Sequence, residues 1–365
     1  MKAGQAEPLI CYWDPCGISV SGSGIAHYGA CLRRGLNKLG SKVVLGSRDQ
    51  NMFYSRIKVL QGQRNYRSLL QFRGVRSAAP FIYHGLANIN LPLWQHRRQD
   101  KMVVTIHDII PLLEPSAVSR SYFEQFRWAL PRVLKIAEQV IVISRWSREQ
   151  VRERYPWSAE KLRLIPHGLD GLGKVSQQEV SRDSKRTVLL AVSRFEHYKR
   201  FPLLIELLRA LGRDYLLQVV CDARGLRFLH REAGDLLGEG RLEVFCQISQ
   251  LALAQIYQKA DLLLLPSWYE GFCLPAAEGL AAGVPLLYQR GTAVEEFVPA
   301  SLGVGIGERS DSIEPWVAAV RKLRGFKRQE DFQKQLGIYL AGRRSWDDVA
   351  RETREVYCSL VPDFL

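Results

Sequence analysis

Short, almost unbroken apolar runs alternate with segments of helical periodicity along this chain, and nothing else in the sequence narrows the fold so far. The runs lie at 79–83, 102–106, 140–143 and 162–165 in the first half and at 188–192, 216–221, 242–245, 262–265 and 284–288 in the second. Strands that show no polar face are buried on both sides, which is the condition of a parallel sheet covered by helices. Segments such as 201–211 and 251–259 supply the helices. The expected class is therefore α/β, built on doubly wound parallel sheets. At 365 residues the chain exceeds what one core normally serves, so two domains are expected. The polar stretch HGLDGLGKVSQQEVSRDSKR, residues 167–186, separates the two sets of runs and reads as their linker. Ser147 followed by Gln150 reads as a capping box that opens a helix.

The charge balance points to an anionic partner. Lys and Arg number 51 against 37 Asp and Glu, a net charge of +14, which suits a nucleic acid, a phospholipid surface or a phosphorylated substrate. The excess is uneven: residues 51–99 contain no acid, while Arg56, Lys58, Arg64, Arg67, Arg73, Arg76, Arg97 and Arg98 are interleaved with Phe53, Tyr54, Tyr66 and Phe72. A solvated surface and a membrane-facing patch both fit that pattern. The opening MKAGQAEPLICYWDPCG has no basic-then-apolar leader, and no run approaches the roughly 20 apolar residues that span a bilayer, so a cytoplasmic protein is expected. Seven scattered cysteines, none in a Cys-x-x-Cys pair, argue for reduced thiols over a zinc site or a disulfide framework. No Asp-x-Asp and no His/Cys cluster has metal-ligand spacing, and no metal or cofactor is expected.

Ligands of open parallel sheets bind beyond the carboxyl ends of the strands, which directs attention to the residues that follow each run. In SWYEGFCLPAAEGLAAG, residues 267–283, Glu270 and Glu278 stand eight positions apart. Pro275 is tolerated in a first turn but not in a helix interior, so a loop carrying Glu270 leads into a helix carrying Glu278. A surface pair, or a helix-dipole partner in the case of Glu278, is the alternative. Gly22 and Gly24 precede a helix with an apolar face of Ile25, Tyr28, Leu32, Leu36 and Leu39, and amides at such a start hold phosphate as readily as they form a plain turn. His107 directly follows a run, where a neutral imidazole can accept from a substrate hydroxyl or cap a neighbouring backbone group. Arg194 and Lys199 flank a strand-to-helix loop; they form either a diphosphate clamp or two solvent-facing cations.

In order along the chain, GSGIAHY, VVTIHDIIP, VIVISRWSREQV, KLRLIPHGLD, SRFEHYKRFPLLI, ADLLLLPSWYEGFCLPAAEGLAAGVPLL and SWDDVARETREVY resemble the retaining nucleotide-sugar glycosyltransferases of family 4. The Glu-x7-Glu segment and the Arg-x4-Lys pair are the most specific of these, and the wording of HDIIP is most similar to bacterial mannosyltransferases of surface-polysaccharide assembly. The resemblance implies the GT-B fold, two Rossmann-like domains facing across a cleft. An acceptor domain over 1–170, completed by a crossover helix at about 345–365, would precede a donor domain over 171–344. It implies transfer of a hexosyl group, with GDP-mannose as the leading donor and UDP-sugars behind it, to a glycan or lipid-linked glycan, with retention of configuration and without a metal. Glu270 would bond the donor sugar, Glu278 the ribose, and the amides of Phe272, Cys273 and Leu274 would line the pocket. Arg194, Lys199 and the Gly22–Gly24 turn would hold the diphosphate, and His107 would reach the sugar near its reacting carbon. Three positions depart from the family pattern: Cys273 replaces the usual Gly, His167 stands where Asn is commoner, and YQRGTAVEEF leaves Glu296 as a loose match. Two alternatives are a nucleotide-sugar epimerase of the same fold, against which the Glu-x7-Glu segment speaks, and a basic nucleic-acid-binding protein, for which no motif appears.

Overall fold

A computed structural model describes residues 10–13, 24–45, 82–91, 93, 100–170, 186–307, 309 and 311–361, with the backbone alone for 10–13 and 42–45. It divides into two compact units, Met1–Gly168 with Arg344–Leu365, and Leu169–Arg343.

The first unit contains β1 (Ile10–Trp13), α1 (Gly24–Lys38), β2 (Lys42–Leu45), β3 (Ile82–Gly85), β4 (Lys101–Ile106), α2 (Ile110–Leu113), α3 (Arg120–Ile136), β5 (Gln139–Val142), α4 (Arg145–Arg154) and β6 (Leu162–Leu164), and it ends with the C-terminal helix Trp346–Leu360. The strands pair in parallel in the order β2-β1-β3-β4-β5-β6. Val140, Ile141 and Val142 show why the runs lack a polar face, for they alternate between two cores. One holds Phe126, Leu130, Val133 and Leu134 of α3. The other holds Tyr28, Leu32 and Leu36 of α1 together with Trp346, Val349, Ala350 and Tyr357 of the C-terminal helix. Gly35 permits that second packing, because a Cβ there would lie 2.5 Å from the Cβ of Ala350. Ser345 and Asp348 cap each other's backbone at the helix start.

Two expectations are corrected in this unit. The helix near Ser147 begins at Arg145 and is capped by Ser144, whose hydroxyl accepts from the Ser147 amide at 3.0 Å. Ser144 leaves β5 with extended backbone and reaches the cap position first, so Ser147 falls inside the first turn. Leu39 does not join the apolar face of α1, since that helix ends at Lys38 and Leu39 is 40% exposed in the turn beyond. Of the run at 79–83, residues 82 and 83 belong to β3, and 79–81 lie outside the described residues.

The second unit contains β7 (Thr187–Val192), α5 (Phe201–Leu211), β8 (Tyr215–Cys221), α6 (Ala223–Glu232), α7 (Gly234–Gly238), β9 (Leu242–Cys246), α8 (Gln250–Lys259), β10 (Leu262–Leu265), α9 (Leu274–Ala281), β11 (Leu286–Gln289), β12 (Gly303–Ile306), α10 (Glu314–Lys322) and α11 (Glu330–Gly342). Its sheet is also parallel, in the order β12-β11-β10-β7-β8-β9. Successive connections run outward from β7 to β9 and then return to β10 on its other side. The order therefore reverses between β7 and β10, and a crevice opens where the loops after these two strands part in opposite directions. The run at 284–288 starts late because Gly283, with φ of 72°, turns the chain out of α9 and commits the Val284 amide to the carbonyl of Gly279 at 2.8 Å.

Candidate functional site

Both loops at the β7–β10 reversal carry residues singled out by the sequence. Beyond β7 the chain passes Ser193 and Arg194, makes a 3-10 turn at His197–Lys199, and enters α5 through Arg200 in the left-handed region, φ 56°. Beyond β10 it passes Pro266 and Ser267 to Glu270 and enters α9 through Cys273, also left-handed at φ 73°. The loops are stitched by the Trp268 amide donating to the Tyr198 carbonyl at 2.9 Å. Between them is a small cleft whose lining includes Ser193, Lys199, Phe201, Ser267 and Glu270.

Lys199 and Glu270 meet in that cleft. The ammonium lies 2.7 Å from Oε1, with side-chain exposures of 15% and 10%. Burial alone would lower the lysine pKa, but the Glu270 carboxylate outweighs it, with help from Tyr198, and holds Lys199 above its ordinary value. The lysine is thus a fixed cation with further N–H groups to offer. Arg200, also buried, sets its guanidinium 5.2 Å from the Trp268 ring and donates to Gln289 Oε1 at 3.3 Å. Arg194, by contrast, is exposed, and the structure does not bring it to the Lys199–Glu270 pair.

Glu278 lies in the second turn of α9, and its Oε2 accepts from the Tyr257 hydroxyl of α8 at 2.8 Å. Burial raises its pKa and the tyrosine draws it back, while burial beside this carboxylate keeps Tyr257 protonated. Leu274 opens α9, and Pro275, next in the first turn, supplies no N–H. Phe272 stacks on Phe297 with ring centroids 5.0 Å apart and an angle of 19° between planes. The Cys273 side chain is buried near Glu270 and Lys199, and burial, then the Glu270 charge, keeps its thiol protonated.

His107 belongs to the first unit. It follows β4, is 7% exposed, and is pinned on three sides. Its Nε2 lies 2.8 Å from the Leu86 carbonyl, its amide donates to Asn88 Oδ1 at 2.7 Å, and the Ser147 hydroxyl donates to its carbonyl at 2.7 Å. A carbonyl only accepts, so Nε2 carries the proton and Nδ1 keeps the lone pair. Burial pushes the imidazole down to about 4 against a small upward pull from Leu86, so at neutral pH His107 is an acceptor. Tyr28, one turn into α1 from Gly24, meets it edge-on at 5.2 Å. His167 stacks on Tyr28 at 5.0 Å and meets Trp346 at a tilt of 39° and 5.3 Å, which explains a ring at this position. Gly22 lies outside the described residues, as does most of 51–99.

Sequence reading missed Arg200, Tyr257, Asn88 and Ser147 as supports of these sites. Only Arg200 left a trace, as the second cation of HYKRF; the others depend on which elements become neighbours. Among the described residues no cluster of three or more His, Cys, Asp or Glu side chains is arranged to hold a metal ion.

Comparison with known proteins agrees with this architecture. Residues 23–170 match the family model described as Glycosyltransferase Family 4, and residues 174–334 match that of Glycosyl transferases group 1. The O-antigen chain mannosyltransferase RfbU of Salmonella typhimurium is 24% identical over 221 residues, a match spanning 60% of this chain and 60% of that relative's length. Among solved structures, sucrose-phosphate synthase from Thermosynechococcus elongatus superposes with a TM-score of 0.75 at 18% identity, covering 97% of this chain and 99% of that one. Anabaena Alr3699/HepE in complex with UDP-glucose does so with a TM-score of 0.67 at 16% identity, covering 96% and 99%. With two parallel-sheet α/β units and one family model on nearly the whole of each half, the chain belongs to the GT-B glycosyltransferases of family 4.

Proposed function

We propose that the protein is a retaining glycosyltransferase that moves a hexosyl group from a nucleotide sugar to a hydroxyl of a glycan or lipid-linked glycan, with GDP-mannose as the preferred donor. The observation that carries this reading is the buried Lys199–Glu270 pair at the β7–β10 reversal, the place where a sheet of this order takes its ligand. Family membership supplies the reaction class, and the mannosyl preference draws on the similarity to the Salmonella relative. UDP-glucose in the Anabaena structure supports a nucleotide-sugar donor in general.

In this mechanism Glu278, steadied by Tyr257, accepts from the ribose hydroxyls, and Glu270 accepts from hydroxyls of the sugar. Lys199, already charged and tethered, turns its other N–H groups to the diphosphate. Arg194, the amides of Phe272, Cys273 and Leu274, and those of Gly22 and Gly24 add to them. Donors aimed at the departing oxygen stabilise charge only as the glycosidic bond breaks, which is the interaction that accelerates the step. The sugar becomes oxocarbenium-like, and the acceptor hydroxyl attacks from the face the diphosphate leaves, passing its proton to the departing diphosphate oxygen. His107 takes a hydrogen bond from the sugar through Nδ1 and does not act as a proton donor at neutral pH. Because cations and amides meet the charge, excess chelator should leave turnover unchanged.

A thermal-shift series with GDP, UDP and ADP tests the donor: GDP should raise the melting temperature most, since ligand bound to the native state alone stabilises it. Glu278→Ala should weaken nucleotide binding, whereas Glu270→Gln should lower kcat for mannosyl transfer with binding retained. Small, equal effects from both would overturn the assignment.

No helix among the described residues is long and apolar enough to cross a membrane. We place contact with an anionic membrane in the basic stretch 51–99. Two exposed tryptophans of the same unit fit such a surface, Trp128 with the Arg132 guanidinium 4.2 Å from its ring centroid and Trp157 with the Lys135 ammonium at 6.0 Å. Failure of phosphatidylglycerol vesicles to retain the protein at low salt would remove this contact.

A further inference from the structure

The cysteines look isolated in the sequence, yet the second sheet places two of them side by side. Cys221 ends β8, Cys246 ends β9, and the parallel register makes them direct partners. Alternation along each strand sets both on one face. Tyr215, Leu217, Val219 and Cys221 belong to the core beneath α5 and α6, and Leu242 and Val244 of β9 face the same core, so Cys246 follows them. Neighbouring strands run about 4.8 Å apart. That lies within the Cα separation of roughly 4.4–6.8 Å that a disulfide bridges. Both thiols are free, Cys221 buried and Cys246 partly exposed. Gly225 gives the inner sulfur room: a Cβ there would lie 2.9 Å from Cys221 Sγ.

We propose that Cys221 and Cys246 are a modification site, a dithiol that a peroxide converts reversibly to a disulfide. Cys246, the accessible partner, attacks the peroxide as thiolate. Its sulfur gains one oxygen to become a sulfenic acid, and one water leaves. The Cys221 thiol then attacks that sulfur, the S–O bond breaks as the S–S bond forms, and the oxygen departs as a second water. Two thiols have given up two electrons and two protons, and one hydrogen peroxide has become two waters. Register partners in a pleated sheet keep their Cβ atoms farther apart than a relaxed disulfide prefers, so the bond should yield readily to a dithiol reductant.

Its location gives the modification a target. Asp222 follows Cys221 directly, and its carboxylate accepts from the Phe195 amide at 3.2 Å and the Gly225 amide at 3.0 Å. Arg224 reaches Glu196 at 2.6 Å. This end of β8 is therefore tied to the loop that carries Arg194 and Lys199.

The test treats the full chain with equimolar hydrogen peroxide, blocks remaining thiols with N-ethylmaleimide, and maps peptides without reduction. A Cys221–Cys246 cross-linked peptide, two fewer blocked thiols and reversal by dithiothreitol are expected. Cys221→Ser should arrest the chemistry at a dimedone-reactive sulfenic acid on Cys246, and Cys246→Ser should leave Cys221 reduced. Cys246 oxidised to sulfinic acid beside a free Cys221, a cross-link to another cysteine, or no reaction at either would overturn the proposal. None of these readouts depends on the donor or acceptor of the transfer reaction.

Discussion

Cys273 holds a left-handed backbone, φ 73°, at the entrance to α9. An L side chain there costs roughly 1–2 kcal/mol that glycine does not. Its thiol recovers part of that cost by filling the core beside Leu265, Ala276 and Leu280. Substituting alanine keeps the strain and discards the sulfur, whereas glycine discards both. Cys273→Ala should therefore be less stable than Cys273→Gly by about 1 kcal/mol in urea titrations; the reverse order would mean that the side chain, not the backbone, governs this turn. Tyr257 is the second telling residue. Tyr257→Phe removes the donor to Glu278 and should weaken nucleotide binding about fivefold, the equivalent of about 1 kcal/mol for one hydrogen bond. With kcat at saturating donor unchanged, the effect would be confined to the grip on the nucleotide.

At the scale of elements, the C-terminal helix depends on its start. Ser345→Ala removes half of the reciprocal cap with Asp348 and should cost about 1 kcal/mol, seen as earlier unfolding of the first unit while the second keeps its midpoint. Elements with long apolar runs, such as 102–106, 201–211 and 262–265, were legible because a parallel strand or its covering helix writes burial directly into consecutive residues. β12, Gly303–Ile306, was not, since two of its four residues are glycines packed against Leu286 and Arg290. The cap at Ser144 was misplaced because SRWSREQ offers two serines, and only the exit angle of β5 decides between them. Glu270, Glu278, Lys199 and His107 were legible as chemistry-bearing groups after strands. Their partners were not: that Lys199 meets Glu270, that Tyr257 steadies Glu278 and that Cys221 faces Cys246 all follow from strand order and register, which composition does not encode.

Across the whole molecule, acid tolerance should be set by histidines. Burial pushes His107 down to about 4 and His84 to about 3, the latter held between Thr105 at 2.8 Å and Tyr357 at 2.6 Å. Unfolded, each titrates near 6.5, so between that value and the folded ones the unfolded chain binds protons that the folded chain refuses. Stability is then full above about pH 6.5 and is lost as pH falls, by about 2 kcal/mol for each histidine between pH 7 and 5. Thermal unfolding across that range should record the decline, and a flat profile would contradict the neutral state of both rings. The C-terminal helix bears on a different timescale. Tyr28, Leu32, Leu36, Trp346 and Tyr357 share one core, yet more than 170 residues, the whole second unit, are translated between its two parts. On the ribosome the second unit can complete its sheet first, while α1 has the strand residues Ile82, Val103 and Ile141 to pack on but still lacks Trp346, Ala350 and Tyr357. The unit that leaves the exit tunnel first should therefore be the last to finish folding, once the helix Trp346–Leu360 is available to close its core.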